Sequence, residues 1–156
     1  HEAPRFVIAF ADPTKKKRLA LQLEDHGWQP ETFIHDSAAV GLAAAIGAGT
    51  IICPFCRIST DCTIGTHVLV NGASGIGHDA VVGSYSSLLG SVSVNGSAIV
   101  GEGALLGAGS MVYPGKRVGD WAVVGLASVV LRNVPANVTV FGNPAQRIAV
   151  KQPGNE

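Results

Sequence analysis

Three consecutive hexapeptides at residues 64–81 read IGTHVL, VNGASG and IGHDAV. Each opens with an aliphatic residue, and the same rule holds at every sixth position from Val40 to Val130 without an insertion. The sixteen aliphatic positions are Val40, Ile46, Ile52, Ile58, Ile64, Val70, Ile76, Val82, Leu88, Val94, Val100, Leu106, Val112, Val118, Val124 and Val130. A six-residue period of β-branched residues and glycine is typical of a parallel β-helix.

A second set of positions, four residues after each aliphatic residue, carries small or short side chains, and Lys116 is the one departure. We expect both sets to point inward, because small side chains leave room where three faces of a triangular column converge. Glycine often follows the aliphatic residue directly, as at Gly47 and Gly77. We expect this glycine to allow the positive φ of a sharp corner.

Three hexapeptides make one turn of eighteen residues in such a column. Residues eighteen apart should therefore stack in neighbouring turns, about 4.8 Å from each other. Residues 40–129 contain fifteen hexapeptides, hence five turns. Connections between parallel strands are normally right-handed, and nothing in the composition overturns that rule.

Composition narrows the class of protein. The chain has 156 residues, enough for one domain and a small appendage, with 47% hydrophobic and 14% charged residues. Its formal net charge is zero, which gives no electrostatic case for nucleic acid or a membrane surface. Two of the three cysteines, Cys56 and Cys62, occupy inward small positions, so we expect reduced core cysteines in a cytoplasmic protein.

The chain before the repeats predicts a small β-α-β segment. Residues 5–10 are apolar and should form a strand, Asp12 is a suitable N-cap, and Pro13 suits the first helical position. The helix should end near His26, and residues 32–35 should form the second strand. Two strands make a small sheet. We therefore expect residues 1–36 to be a truncated α/β unit, and residues 37–150 to be the β-helix with a C-terminal cap.

The first turn of that helix carries a basic run, Lys15-Lys16-Lys17-Arg18. Charge runs usually face water, which is one interpretation. Cations at a helix N-terminus oppose the helix dipole, and a bound phosphate would remove that conflict. Both interpretations remain open at the level of sequence.

The repeats contain two histidines, His67 and His78, and their places in the hexapeptide predict that both point outward on different faces. His78 precedes Asp79, and an imidazole beside a carboxylate is the minimum arrangement for a general base. A solvated surface pair is the alternative. Asn71 likewise has a structural interpretation, since it stands at the corner position where glycine recurs.

A resemblance to a known family is carried by Phe33-Ile34-His35, the stretch from Val70-Asn71 through His78-Asp79, Val82-Gly83, and Gly142-Asn143-Pro144-Ala145-Gln146-Arg147. With the hexapeptides, these residues resemble nucleotide-sugar acetyltransferases related to sialic acid O-acetyltransferase and the bacillosamine-pathway sugar N-acetyltransferase. The resemblance implies a left-handed β-helix, a homotrimer, and acetyl-CoA in the groove between neighbouring columns. It also implies that residues 1–36 remain from a domain that binds the nucleotide sugar.

The resemblance implies roles for ten residues and no metal. His78 would be the general base, Asp79 would support it, and Asn71 and Asp12 would contact the sugar substrate. The cofactor-binding residues would be Ser87, Gly96, Ala108, Leu126, Pro144 and Arg147. Two features depart from the family: the glycine-rich strand-turn that helps to hold the nucleotide sugar is not found, and Ser87 stands where many members carry a second histidine.

The leading hypothesis is acetyl transfer from acetyl-CoA to the amino group of a nucleotide-linked amino (dideoxy) sugar, for a cell-surface polysaccharide. A sugar O-acetyltransferase of the same fold is a variant that the sequence leaves open. A zinc hydro-lyase on this column would need three imidazoles, and the repeats contain two histidines. A non-catalytic trimeric β-helix module, which binds partners along its faces, is the remaining alternative.

Overall fold

The computed structural model describes residues 3–149. Helix α1 spans Pro13–Asp25. The strands are β1 (Arg5–Phe6), β2 (Gln29–Pro30), β3 (Phe33–Ile34), β4 (Ala39–Val40), β5 (Ala45–Ile46), β6 (Ile51–Ile52), β7 (Arg57–Ile58), β8 (Thr63–Ile64), β9 (Leu69–Val70), β10 (Gly75–Ile76), β11 (Val81–Val82), β12 (Ser87–Leu88), β13 (Ser93–Val94), β14 (Ile99–Val100), β15 (Leu105–Leu106), β16 (Met111–Val112), β17 (Arg117–Val118), β18 (Val123–Val124), β19 (Val129–Val130), β20 (Thr139–Phe141) and β21 (Gln146–Arg147). The outermost residues of the two predicted domains, 1–2 and 150, lie outside the described residues. Within the described range, no helix is long and apolar enough to cross a membrane.

Three sheets form the faces of a triangular column. The first face stacks β4, β7, β10, β13, β16 and β19, and the second stacks β5, β8, β11, β14 and β17. The third face runs from β3 through β6, β9, β12, β15 and β18 to β20, and β21 adds to it in the antiparallel direction as a C-terminal cap. Stacked partners within the repeats lie eighteen residues apart, as Gly75 and Ser93 do. The predicted mainly β fold, a parallel β-helix with three hexapeptides per turn, is confirmed.

The turns between the faces form three corners, which we number by their order along one turn. The first corner, between the first and second faces, contains residues 41–44, 59–62, 77–80, 95–98, 113–116 and 131–133. The second corner, between the second and third faces, contains residues 47–50, 65–68, 83–86, 101–104 and 119–122. The third corner leads back to the first face and contains residues 35–38, 53–56, 71–74, 89–92, 107–110 and 125–128.

The interior of the column confirms both sets of inward positions. All aliphatic positions from Ile52 to Val130 are buried, and the small residues from Thr50 to Ser128 are buried too, except the half-buried Lys116. Val40 is 41% exposed because β4 lies at the end of its face and pairs on one side only. The two core cysteines are unpaired thiols, as predicted, and burial raises their pKa.

The role predicted for the corner glycines is wrong. Positive φ occurs at the third residue after the aliphatic one, at non-glycine residues such as Asp61 and Asp79. The glycine directly after the aliphatic residue lies instead where two turns come close. A Cβ on Gly47, for example, would lie 2.6 Å from the carbonyl carbon of Gly65. Glycine is therefore required here by the close stacking of the backbone.

The N-terminal segment confirms the predicted helix and corrects the predicted sheet. Asp12 caps α1 by accepting a hydrogen bond from the Lys15 N–H at 3.0 Å, and Pro13 is the first helical residue. The partner of β1 is β2, whereas β3, predicted as that partner, pairs with β6 on the third face. The reason is register, since Ile34 lies eighteen residues before Ile52 and already obeys the stacking rule. The functional division after residue 36 stays a prediction.

Helix α1 packs against the column through its basic first turn. Lys16 is fully buried. Lys17 forms an ion pair with Glu102 on the second corner, and its ammonium lies 5.3 Å from the ring centre of Trp121. A solvated basic run is therefore the wrong interpretation for these two lysines.

Candidate active site

The predicted site residues fall mainly on two corners of the column. The first corner holds His78, Asp79 and Gly96, and the third corner holds Asn71, Ala108 and Leu126, with Pro144 in the turn before β21. The first face separates these two groups within one chain. Ser87 lies in β12 on the third face, Arg147 in β21, and Asp12 at the start of α1.

His78 and Asp79 form a hydrogen-bonded pair on the first corner. The His78 Nδ1 lies 2.7 Å from the Asp79 Oδ2, and the two side chains are 65% and 61% exposed. When Asp79 accepts the Nδ1–H, the neutral imidazole carries its lone pair on Nε2. The structure therefore brings together the imidazole and the carboxylate that the sequence predicts as a general base and its support. Their catalytic roles stay a prediction.

Gly96 lies one turn above His78 and against its ring. A Cβ at Gly96 would lie 2.6 Å from the His78 Nε2, so a larger residue would displace the imidazole. The Gly96 carbonyl accepts from the Gly115 N–H at 3.0 Å, whereas its own N–H donates to no backbone carbonyl in residues 3–149. An N–H beside the base can stabilise a developing oxyanion.

The third corner presents an exposed wall. Ala108 and Leu126 lie eighteen residues apart and stack, and Leu126 is 61% exposed. Below them, the Asn71 side chain accepts a hydrogen bond from the Gly72 N–H at 2.8 Å, which holds the amide at its own corner. Within residues 3–149 of one chain, this wall does not reach His78, because the first face lies between them.

Ser87 has a partner that the sequence did not indicate. Its side chain is fully buried, and the Lys16 ammonium donates to its hydroxyl at 2.7 Å and to the Ser86 carbonyl at 3.1 Å. Burial lowers the pKa of Lys16 to about 8. The spacing to Ala20, one helical turn later and also buried, was the available signal that Lys16 faces the column. The cofactor role of Ser87 stays a prediction.

The prediction that His67 points outward is wrong. His67 is 2% exposed, and its ring stacks between Phe6 and Tyr85 at centroid distances of 5.8 and 5.5 Å. Its Nε2 lies 2.8 Å from a carboxylate oxygen of Glu24 in α1. The N-terminal segment covers the second corner and buries this histidine, which shares no site with His78. In the described part of the chain, no three His, Cys, Asp or Glu side chains are grouped to hold a metal ion.

Comparisons with curated proteins find a sugar-modifying relative. No protein-family model matches the chain. The chain is 35% identical over 74 residues to the GDP-perosamine N-acetyltransferase of Escherichia coli O157:H7. That segment is 47% of this chain and 34% of the relative, so the match spans about a third of that protein.

Solved structures match over nearly the whole chain. PerB from Caulobacter crescentus, in complex with CoA and GDP-perosamine, has a TM-score of 0.91 and 31% identity, over 94% of this chain and 70% of PerB. WeeI from Acinetobacter baumannii AYE has a TM-score of 0.86 and 28% identity, over 95% and 72%. The acetyltransferase domain of PglB from Neisseria gonorrhoeae FA1090 has a TM-score of 0.88 at 22% identity, over 91% and 69%, and shows the fold alone.

These structures define the class of the column as a left-handed β-helix of the acetyltransferase type, which confirms the predicted handedness. With 31% identity over 70% of PerB, the chain belongs to the family of nucleotide-sugar N-acetyltransferases. The predicted family is confirmed.

Proposed function

We propose that the protein transfers the acetyl group of acetyl-CoA to the amino group of a nucleotide-linked amino sugar. The observation that carries this proposal is the exposed His78 imidazole, held by Asp79 and lying against the Gly96 backbone. The names of the relatives support it, because PerB binds CoA and GDP-perosamine and the E. coli relative is an N-acetyltransferase of that sugar nucleotide.

In the proposed reaction, the sugar amine attacks the carbonyl carbon of the thioester. A carbon–nitrogen bond forms, the carbon–sulfur bond breaks, and the sulfur leaves as the thiol of CoA. The Nε2 atom of His78 accepts a proton from the attacking amine and later donates it to the leaving sulfur. Asp79 fixes the tautomer and stabilises the imidazolium. The Gly96 N–H donates to the oxygen while it carries negative charge.

A complete site requires a second copy of the chain. His78 and Gly96 lie on the first corner, whereas the predicted cofactor wall of Ala108 and Leu126 lies on the third. If two columns pack side by side, the first corner of one copy can lie opposite the third corner of the next, and a cyclic trimer would repeat this contact three times. Between the corners, the first face is open, with a hollow of about 510 Å³ beside small residues such as Gly75. We therefore propose a homotrimer.

The other site assignments belong to the same proposal. Asp12 and Asn71 would contact the nucleotide sugar, which makes the segment up to residue 36 a part of the substrate site. Pro144 and Arg147 would contact the cofactor near the C-terminal cap. The acetyl-CoA donor is consistent with a cytoplasmic reaction, which stays a prediction.

Thiol release from acetyl-CoA, measured with UDP-, GDP- and dTDP-linked amino sugars, tests the function. We expect His78→Ala to lower kcat by roughly a hundredfold or more, the usual contribution of a general base. Asp79→Asn should lower it less, because the imidazole remains. His26→Ala, which changes an exposed histidine of the helix end, is the matched control. Full activity in His78→Ala would remove His78 from the mechanism.

A further inference from the structure

The first corner carries a line of residues that continues above the proposed catalytic pair. Gly96 lies one turn above His78, and Arg132 follows β19, which lies three strands above the strand that precedes His78, β10. The strand pairs of the first face keep this eighteen-residue register up to Val129. Since each turn adds about 4.8 Å, Arg132 lies roughly 14 Å above His78 along the column.

That height matches the arm of coenzyme A. Its pantetheine arm is an extended chain of amide and methylene groups comparable with about four residues of backbone, which reaches roughly 14 Å. A thioester at His78, with its arm running up the first corner, therefore ends its arm at the level of Arg132. The groups at that end of coenzyme A are phosphates.

A small pocket lies at this level. Leu131 and Arg132 line it from the first corner, and Pro144, Ala145 and Gln146 line it from the C-terminal cap, with a volume of about 180 Å³. The Ala145 N–H donates to the Val129 carbonyl at 2.8 Å, which ties the cap to the top of the first face. Sites for whole ligands are usually about 300–1,000 Å³, so this pocket suits one end group.

The charges of the corner change sign along the line. Asp61 and Asp79 lie on its lower turns, and above Gly96 the charged residues are Lys116 and Arg132, both cationic. Arg132 has no carboxylate within 4 Å among residues 3–149. The upper part of the corner therefore offers a guanidinium, without a partner carboxylate, to an anion.

Arg147 follows Gln146 in β21 but is not among the residues that line this pocket. Within residues 3–149, Arg132 is the arginine that lines it.

We propose that Arg132 binds a phosphate group of coenzyme A at the C-terminal end of the first corner. This proposal rests on the proposed function, since it takes the thioester to lie at His78. The planar guanidinium suits phosphate oxygens in a bidentate geometry. Arg132 would thereby distinguish acetyl-CoA from acyl donors that lack phosphate.

The test compares three donors in the wild type and in Arg132→Gln: acetyl-CoA, acetyl-dephospho-CoA and acetylpantetheine. We expect the variant to raise the KM for acetyl-CoA roughly tenfold or more, the effect of one lost charge-assisted hydrogen bond. The KM for acetylpantetheine should not change, and kcat should stay the same because the contact is remote from the reacting atoms. If acetyl-dephospho-CoA shows the same rise as acetyl-CoA, the diphosphate is the group bound. If it shows none, the group is the 3′-phosphate.

Arg117→Gln, on the second face, is the matched control and should leave all three donors unaffected. An unchanged KM for acetyl-CoA in Arg132→Gln would overturn the proposal, as would an equal rise for acetylpantetheine or a phosphate-dependent effect in Arg147→Gln alone. Calorimetric measurement of CoA binding distinguishes a failure of the proposed function from a failure of the phosphate contact. Wild-type protein that binds CoA but releases no thiol with any acceptor contradicts the proposed function, and Arg132-dependent binding then still supports the phosphate contact. Wild-type protein that does not bind CoA contradicts both.

Discussion

Lys16 places a buried amine between α1 and the third face, and its charge should control stability at alkaline pH. Its ammonium donates to Ser87 and Ser86, and no carboxylate of residues 3–149 forms an ion pair with it. Burial lowers its pKa from the ordinary 10.5 to about 8. Below pH 8, the folded chain carries the cost of a buried charge. Between pH 8 and 10.5 the folded chain has lost the proton and the unfolded chain retains it, so stability rises with pH.

The magnitude follows from this difference in pKa. The full effect is roughly 3 kcal/mol, at 1.36 kcal/mol for each pH unit. Most of it, roughly 2–3 kcal/mol, should develop between pH 7 and pH 10. A comparison at one pH is less informative, because Lys16→Met relieves the cost of the buried charge and also removes two hydrogen bonds, each worth about 1 kcal/mol or more.

Urea unfolding followed by tryptophan fluorescence, in reducing buffer from pH 7 to pH 10, measures the effect. We expect the free energy of unfolding of the wild type to gain roughly 2–3 kcal/mol relative to Lys16→Met over this range. Lys15→Met, at an exposed lysine of the same turn, should keep the wild-type slope. Parallel curves for the wild type and Lys16→Met would show that the amine is hydrated and would refute the reasoning.

Three other substitutions, with Gly72→Ala as a control for the first, test the packing and the helix cap by the same unfolding measurement. Gly47→Ala should lower the free energy of unfolding by roughly 1–3 kcal/mol because the added Cβ meets backbone atoms. Gly72→Ala, whose Cβ would lie 3.5 Å from the nearest atom, should be nearly neutral. Equal effects of the two substitutions would contradict the close stacking of the backbone. His67→Ala should cost roughly 2–4 kcal/mol and speed amide exchange in α1, and unchanged exchange would show that the ring stack does not hold the helix. Asp12→Ala should cost about 1 kcal/mol at pH 7. The N-cap hydrogen bond lowers the Asp12 pKa, so this cost should vanish as the pH falls through that pKa, and a cost that persists in acid would argue against the charged cap.

The six-residue period of the sequence predicts almost the whole column. Each aliphatic residue and its small partner is buried because the backbone repeats every eighteen residues, and no long-range contact has to be guessed. The column starts one strand earlier than the sequence predicts: Phe33–Ile34 is predicted in the N-terminal sheet, but Ile34 keeps the eighteen-residue register with Ile52. The prediction for the corner glycines is wrong because a sequence shows where glycine occurs but not whether a positive φ or a close approach of two backbones requires it.

The sequence predicts only the part of the site that depends on local geometry. His78 and Asp79 are adjacent in sequence, so their pairing follows from local geometry. The contact between Lys16 and Ser87 joins residues 71 positions apart, on a helix and a face whose docking no period describes. Arg132 lies beyond the last hexapeptide, where the partner of Val118 is Val134, only sixteen residues on, so the period does not place it.

The contrast between His67 and His78 shows what decides a role on this fold. Both are outer residues of a corner, and their positions in the hexapeptide differ by one residue. His67 lies on the second corner, where α1 and β1 cover the column, so its imidazole is buried between Phe6 and Tyr85. His78 lies on the first corner, which no element of residues 3–149 covers, so its Nε2 can meet a reactant. On a three-sided column, the corner on which a residue falls therefore decides whether the same side chain supports the fold or is exposed for chemistry.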